Sequence, residues 1–315
     1  MLWKDFPALD RQGQIQYLAM RDGTNLRTAC WPSEDDSRGI IVLVNGHREY
    51  MEKYSEFISD FLKRDFAVYT LDNRGQGLSD RMLPDRSKSH AEIFDDFSDD
   101  LNEFISKTVM ADPRAKDIPI FLVGHSMGGH LCLRYLHDYP GVIKKAVIMT
   151  PMIEFNLGNP VIAAVTKFII RLMSKIGFST SFAFGQAAAF SKERNLIRQK
   201  LLTHDKTRYD VEAKIIESNP ALYVGGATFG WLNKAMESTQ KIRSPGFLDK
   251  ISIPVLITLA GSDQVVKTTA SAELFIGHDN FNVVTIEGSR HEIYREKDKY
   301  RDQLWQEIDF FLGIK

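Results

Sequence analysis

The chain has little of what marks a disulfide-stapled, metal-holding, membrane-spanning or nucleic-acid-binding protein. Only two cysteines, Cys30 and Cys132, occur in 315 residues; they cannot build a disulfide framework, and no Cys/His cluster has zinc-site spacing. Both read as buried thiols, and no metal is expected. No apolar run reaches the roughly 18 residues that a spanning helix needs. Met1 to Asp10, with Lys4, Asp5 and Asp10, lacks the apolar stretch of a signal peptide. The expected location is cytoplasmic, with peripheral contact at the inner face of the membrane as a further expectation. Charge of one sign is lacking too. Forty Lys and Arg against 41 Asp and Glu leave a formal net charge of -1, without the basic stripe that a nucleic-acid partner would call for.

Apolar material, by contrast, is ample: 43% of positions are hydrophobic, and a chain of this length buries about 75% of its unfolded surface. Gln14 to Met20 and Asn25 to Trp31 flank an Asp22-Gly23 turn and predict an antiparallel hairpin at a sheet edge. After it, short apolar runs alternate with longer amphipathic stretches. The runs are Gly39 to Val44, Ala67 to Leu71, Ile118 to Val123, Ala146 to Thr150, Val255 to Ala260 and Asn282 to Ile286. The amphipathic stretches include Lys53 to Arg64, Ile93 to Val109, Met127 to Asp138, Ala270 to Ile276 and Lys299 to Leu312. This alternation predicts an α/β fold, a mostly parallel central sheet with helices on both faces. Ligands in such folds bind at the carboxyl ends of the strands.

The rhythm breaks once. About a hundred residues separate the run ending near Met152 from the one starting near Ile253, far beyond an ordinary connection of roughly 2 to 6 residues. The expected organisation is a core from 1–152 and 246–315 with an inserted helical cap at 153–245.

The strongest chemical signal is Gly124-His125-Ser126-Met127-Gly128, placed between the run ending at Val123 and the helix starting at Met127. That context predicts a nucleophile elbow, a tight turn that exposes the serine oxygen. A serine hydroxyl needs a general base, and the base needs an acid that holds its tautomer. In an α/β chain of this design the order is Ser, acid, His. Asp263 stands just past the run Val255 to Ala260, and His291 follows the run Asn282 to Ile286, so both fall on the same sheet edge as Ser126. Asp279 and Glu287 are the rival acids; the first precedes its strand and the second sits at the end of it.

The oxyanion needs two donors. The backbone N–H of Met127 is one, and the turn Asn45-Gly46-His47-Arg48 after the first parallel run offers the N–H of His47 as the other. Asp72-Asn73-Arg74-Gly75-Gln76-Gly77-Leu78-Ser79 lacks the spacing of a dinucleotide fingerprint and reads as a rigid turn beneath the site. Within the cap, Val161 to Ile176 places Lys167, Arg171 and Lys175 on one stripe among apolar residues. Such a helix either lies on a lipid surface or packs on the main domain with its lysines solvated.

Taken together, Asn45-Gly46, Asp72 to Gly77, Gly124 to Gly129, Ala260-Gly261-Ser262-Asp263, Gly288-Ser289-Arg290-His291-Glu292 and the cap stretch Gly225 to Trp231 resemble the lysophospholipase and monoacylglycerol lipase branch of the α/β-hydrolases, bacterial lysophospholipase-like members included. The resemblance runs over nearly the whole chain. It implies an α/β-hydrolase fold, a Ser126-Asp263-His291 triad, hydrolysis of the ester of a single-chain acyl lipid, and no cofactor. The chain departs from the commoner His-Gly oxyanion turn by having Asn45. Phe168, Phe229 and Trp231 are the expected lining of an acyl channel in the cap. A carboxylesterase for small soluble esters and a ligand-binding protein without turnover are the alternative readings; headgroup and oligomeric state are not assigned by the sequence.

Overall fold

The computed structural model describes residues 13–32, 37–188 and 192–314. The hairpin forms as expected: β1 (Gln14–Ala19) and β2 (Asn25–Trp31) run antiparallel, with Gln14 opposite Cys30 and Ala19 opposite Asn25. Gly23 closes the turn at φ +86°, a backbone conformation that glycine adopts without steric cost. The strands that follow are β3 (Gly39–Val44), β4 (Phe66–Leu71), β5 (Ile120–His125), β6 (Lys145–Met149), β7 (Val255–Ala260) and β8 (Phe281–Ile286). The sheet order is β1-β2-β4-β3-β5-β6-β7-β8. β2 meets β4 antiparallel, and the pairings from β4 through β8 are parallel.

Every residue of β3, β4, β5 and β7 is buried, as strands covered on both faces must be. Alternate residues feed two cores, following the period of two in a strand. Ile40, Val42 and Val44 join one core, and Ile41 and Leu43 the other. The second core is closed by α1 (Ser55–Leu62), through Phe57 and Phe61, and by a terminal helix that supplies Leu304, Trp305 and Ile308. The first core is closed by α2 (Asp95–Phe104) and α3 (Met127–Asp138), through Leu101, Leu131 and Tyr135 among others.

Between β6 and β7 the chain makes its long helical excursion, through α4 (Pro160–Met173), α5 (Lys192–Leu202), α6 (Lys206–Ser218) and α7 (Phe229–Ile242). Its ends differ in character. On α4 only Ala163 and Ile170 are buried, whereas Trp231, Ala235 and Ile242 of α7 join the first core. After β7 come α8 (Thr268–Leu274) and, past β8, the terminal helix α9 (Asp298–Leu312). Cys30 and Cys132 are free and buried. Among the described residues, no helix is long and apolar enough to cross a membrane.

The turn at 72–79 wraps around a buried carboxylate. Asp72 accepts from Arg27 Nε at 2.8 Å, from Met51 N at 2.9 Å and from Leu78 N at 2.8 Å. Gly77 sits at φ +52°, and a Cβ there would lie 2.0 Å from Asp72 Oδ2. Arg27 also grips Glu52 with both terminal nitrogens, at 2.6 and 2.7 Å. All three ionic side chains are essentially inaccessible to solvent. Arg27→Met would strand two carboxylates in the interior, and breaking a buried ion group this way costs about 3–5 kcal/mol. Urea unfolding should show a loss of that size; a loss below about 1 kcal/mol, the range of an exposed ion pair, would mean that the triad does not hold this turn.

Candidate active site

β5 delivers the chain to Ser126 along the buried middle of the sheet. Ser126 then takes φ 54°, ψ -115° between the end of β5 and the first residue of α3. A non-glycine residue pays for this conformation in strain, and three backbone hydrogen bonds hold it there. Ser126 N donates to Met149 O at 2.9 Å, while Ser126 O accepts from His130 N and Met152 N, each at 3.0 Å. The flanking glycines are imposed by close backbone approach. A Cβ on Gly124 would lie 2.6 Å from Gly128 O, and one on Gly128 would lie 2.1 Å from Val44 O.

Asp263 leaves β7 and His291 leaves β8 at the same edge. The imidazole bridges the other two groups: His291 Nδ1 lies 2.7 Å from Asp263 Oδ2, and His291 Nε2 lies 2.9 Å from Ser126 Oγ. Asp263 is itself oriented, since its Oδ1 accepts from Val265 N at 2.8 Å and Val266 N at 3.0 Å. The carbonyl of His291 accepts from Thr150 Oγ1 at 3.0 Å and His125 Nε2 at 3.2 Å. With Nδ1–H donated to the carboxylate, Nε2 is left as the acceptor facing the serine hydroxyl. Burial alone would lower the His291 pKa, but the charge and hydrogen bond of Asp263 outweigh it and the net shift is upward from 6.5. Burial likewise opposes ionisation of Asp263, and His291 with the two backbone N–H groups more than offsets it, so this carboxyl stays below its ordinary value. Among the described residues the rival acids Asp279 and Glu287 form no hydrogen bond or ion pair with His291, whose Nδ1 partner is Asp263.

The turn after β3 is pinned from several sides. Gly46 N donates to Glu49 Oε2 at 2.7 Å, and Arg48 N and Glu49 N both donate to Gln76 Oε1. Among the described residues no acceptor takes the N–H of His47. Its ring stacks on Trp231 with centroids 3.7 Å apart, and its Nε2 lies 2.8 Å from Ser89 Oγ. Met127 opens α3, and the N–H groups of a helix's first turn have no intrahelical acceptor. The side chain of Asn45 is tied to the neighbouring strand, its Nδ2 donating to Leu71 O at 2.9 Å.

Of the three aromatics expected to line an acyl channel, Phe229 and Trp231 are buried. Phe168 is not brought to them; it is 65% exposed. The inward side of α4 is set by Ala163 and Ile170, two turns apart, and Phe168 falls well round the helix from that line at 3.6 residues per turn. The expectation for Phe168 is therefore corrected. Gln76, the hold of Glu49 on Gly46 N and Lys53, and the stacking of Trp231 on His47 were not anticipated. The short polar turn Asn45 to Glu49 and the glycine-bounded Gln76 were the available signals, but nothing in sequence spacing joins them.

A family model described as "Serine aminopeptidase, S33" matches residues 35–298. The chain belongs to that family. "Probable lysophospholipase L2" of Haemophilus influenzae is 30% identical over 282 residues, covering 90% of this chain and 86% of that protein. "Lysophospholipase L2" of Escherichia coli K12 is 28% identical over 282 residues, covering 86% and 80% respectively. Among solved structures, a soluble variant of monoglyceride lipase from Saccharomyces cerevisiae in complex with a substrate analog matches with a TM-score of 0.77 and 22% identity, over 97% of this chain and 96% of that one. The chain is thus a hydrolase with the α/β-hydrolase fold, and the resemblance read from its motifs is borne out.

The raised pKa of His291 has a kinetic sign. The imidazole must be neutral to accept the serine proton, so kcat/KM for an ester should fall as pH is lowered, with an acid-limb midpoint above 6.5. A pH profile whose acid limb is centred below that value would contradict the His291–Asp263 coupling.

Proposed function

We propose that this hydrolase cleaves the carboxylic ester of a single-chain acyl lipid, a lysophospholipid or a monoacylglycerol, through an acyl-enzyme on Ser126. The observation that carries the reading is the continuous Asp263–His291–Ser126 relay, 2.7 and 2.9 Å long in its two links, ending on a serine held in a strained elbow. The names of the relatives supply the lipid ester.

In the first half-reaction Ser126 Oγ attacks the ester carbonyl as its proton passes to His291 Nε2. The N–H groups of Met127 and His47 hold the resulting oxyanion, and the imidazolium returns the proton to the leaving alcohol. In the second half-reaction water attacks the acyl-serine by the same route and releases the fatty acid. Asp263 stays ionised throughout and stabilises the imidazolium. Trp231 positions the His47 turn by stacking from the first core, while Phe229 packs with Ile170, Ala183 and Met236 within the cap at 153–245, where the acyl chain would lie. Ser126→Ala should lower kcat on a lysophospholipid by about four to six powers of ten, measured as fatty-acid release; a folded variant that keeps wild-type turnover would remove Ser126 from the mechanism.

The same reading assigns the exposed side of α4. Val161 is 72% exposed and Phe168 65%, with Val165 and Leu172 on the same side and Arg171 exposed beside them. Contiguous exposed apolar surface with interspersed cations is what a lipid-water interface takes up, and single-chain lipids are held in such interfaces. Phe168→Glu should weaken sedimentation with anionic vesicles and slow hydrolysis of vesicle-borne substrate, while hydrolysis of a soluble butyrate ester stays within a factor of about two, the scale of a neutral surface change. Equal loss on both substrates would place Phe168 in the fold or the site instead.

A further inference from the structure

A network of buried charges lies behind the oxyanion turn. Lys53 Nζ bridges Glu49 at 2.6 Å and Glu292 at 2.5 Å; Arg295 bonds Glu212 at 2.8 Å and Glu292 at 2.9 Å; Arg198 bonds Glu212 at 3.1 Å. Three carboxylates thus face three cations. Arg48 is the fourth cation of the group, and among the described residues no carboxylate pairs with it.

The position of Arg48 is built rather than incidental. It follows His47 directly and sits at φ 62°, its N–H donated to Gln76 Oε1 and its Nε to Val224 O at 3.1 Å. It is half-buried. Glu212 is the carboxylate whose field reaches it, and Glu212 is already bonded to Arg198 and Arg295. Burial, followed by the like charge of Arg198, pushes the Arg48 guanidinium down to about 10. Burial, then Arg48 and Arg198 together, holds the His47 imidazole well below its ordinary range. The surplus positive charge is therefore felt at the turn that faces the ester.

A partly desolvated guanidinium without a carboxylate is a site for an anion, and its planar fork suits phosphate. We propose that Arg48 binds the phosphate of a lysophospholipid headgroup and makes the enzyme select lysophospholipids over neutral monoacylglycerols. This rests on the lipid-ester reading above. In a lysophospholipid the phosphodiester is separated from the scissile ester by the glycerol backbone alone, and Arg48 is separated from the oxyanion donor by none but its own side chain. A monoacylglycerol presents a hydroxyl where the phosphate would be, and leaves the charge of Arg48 unanswered.

The test compares kcat/KM for a lysophosphatidylcholine and a monoacylglycerol of the same acyl chain, in the wild type, Arg48→Gln and Arg48→Lys. Glutamine is as strained at φ 62° as arginine, so the backbone is matched, and Arg48→Lys separates loss of the charge from loss of the guanidinium's bonds to Val224 O and Tyr223. The lysophospholipid-to-monoacylglycerol ratio should fall by about tenfold or more in Arg48→Gln, mainly through KM, and recover in part in Arg48→Lys, which keeps the charge without the fork. An unchanged ratio overturns the proposal. Arg48→Gln and Arg48→Lys both give up the bond to Val224 O, so a loss of the ratio that is equal in the two variants would assign the effect to that bond rather than to the charge, and would equally overturn the proposal.

A second arm needs only an esterase, so it separates failure of this proposal from failure of the lipid reading. Glycerophosphocholine should inhibit hydrolysis of a butyrate ester competitively in the wild type, and about tenfold less well in Arg48→Gln. Equal inhibition of the two, or inhibition by inorganic phosphate alone, overturns a headgroup site. A wild type that splits butyrate esters and neither lipid refutes the lipid reading, and the competition result then decides for or against the phosphate site at Arg48.

Discussion

At the carboxyl edge of the sheet α3 packs so tightly on β3 at Gly128 that even a methyl group there would fall 2.1 Å from Val44 O. Everything at the site depends on it. The contact lets the first turn of α3 abut the turn that leaves β3, so the N–H of Met127 and the His47 turn belong to adjacent pieces of backbone. It also fixes the direction in which Ser126 leaves β5. A larger residue at 128 would push the helix off the strand and move Ser126 relative to both. The strain at Ser126 is a consequence, and the bonds to Met149, His130 and Met152 are what make it sustainable.

The second constraint is electrostatic. Glu49, Lys53, Glu292 and Arg295 join the turn after β3, the segment leading into α1 and the loop that follows His291, and Glu212 of α6 connects them to the helical excursion. Taking such charges out of water costs about several kcal/mol per ion before pairing, so the network is a device for position more than for stability. It holds the loop around His291 and the insert against the core through groups that tolerate no slippage, since any displacement would leave a buried charge unmatched. Among the described residues of this network, Arg48 is the cation with no carboxylate of its own, and it follows directly on His47.

Much of this was legible in the sequence, and the reasons are specific. The runs Gly39 to Val44 and Val255 to Ala260 reappear as β3 and β7 with the same bounds, because a strand covered on both faces must be apolar throughout. The run Ile118 to Val123 corresponds to β5 at Ile120–His125; Gly124 and His125 add no hydrophobic signal, yet they pair with Ile148 and Met149 of β6. Chain order was enough to bring Ser126, Asp263 and His291 to one edge. What stayed hidden were contacts between residues far apart in the chain and unremarkable alone, such as His47 on Trp231, Gln76 beneath Arg48, and Glu292 on Lys53. Phe168 was misplaced because an apolar-rich helix with few polar residues does not declare which side faces inward.

The central claim is that Ser126 forms a covalent acyl-enzyme, and active-site labelling addresses it most directly. The protein would be treated with a fluorophosphonate at equimolar concentration, digested, and the modified peptide read by mass spectrometry, with Asp263→Asn as a comparison. The account predicts one phosphonyl group per chain, on Ser126, formed far more slowly when the imidazole has lost its carboxylate. Labelling at another residue, or none in a folded protein, would contradict it.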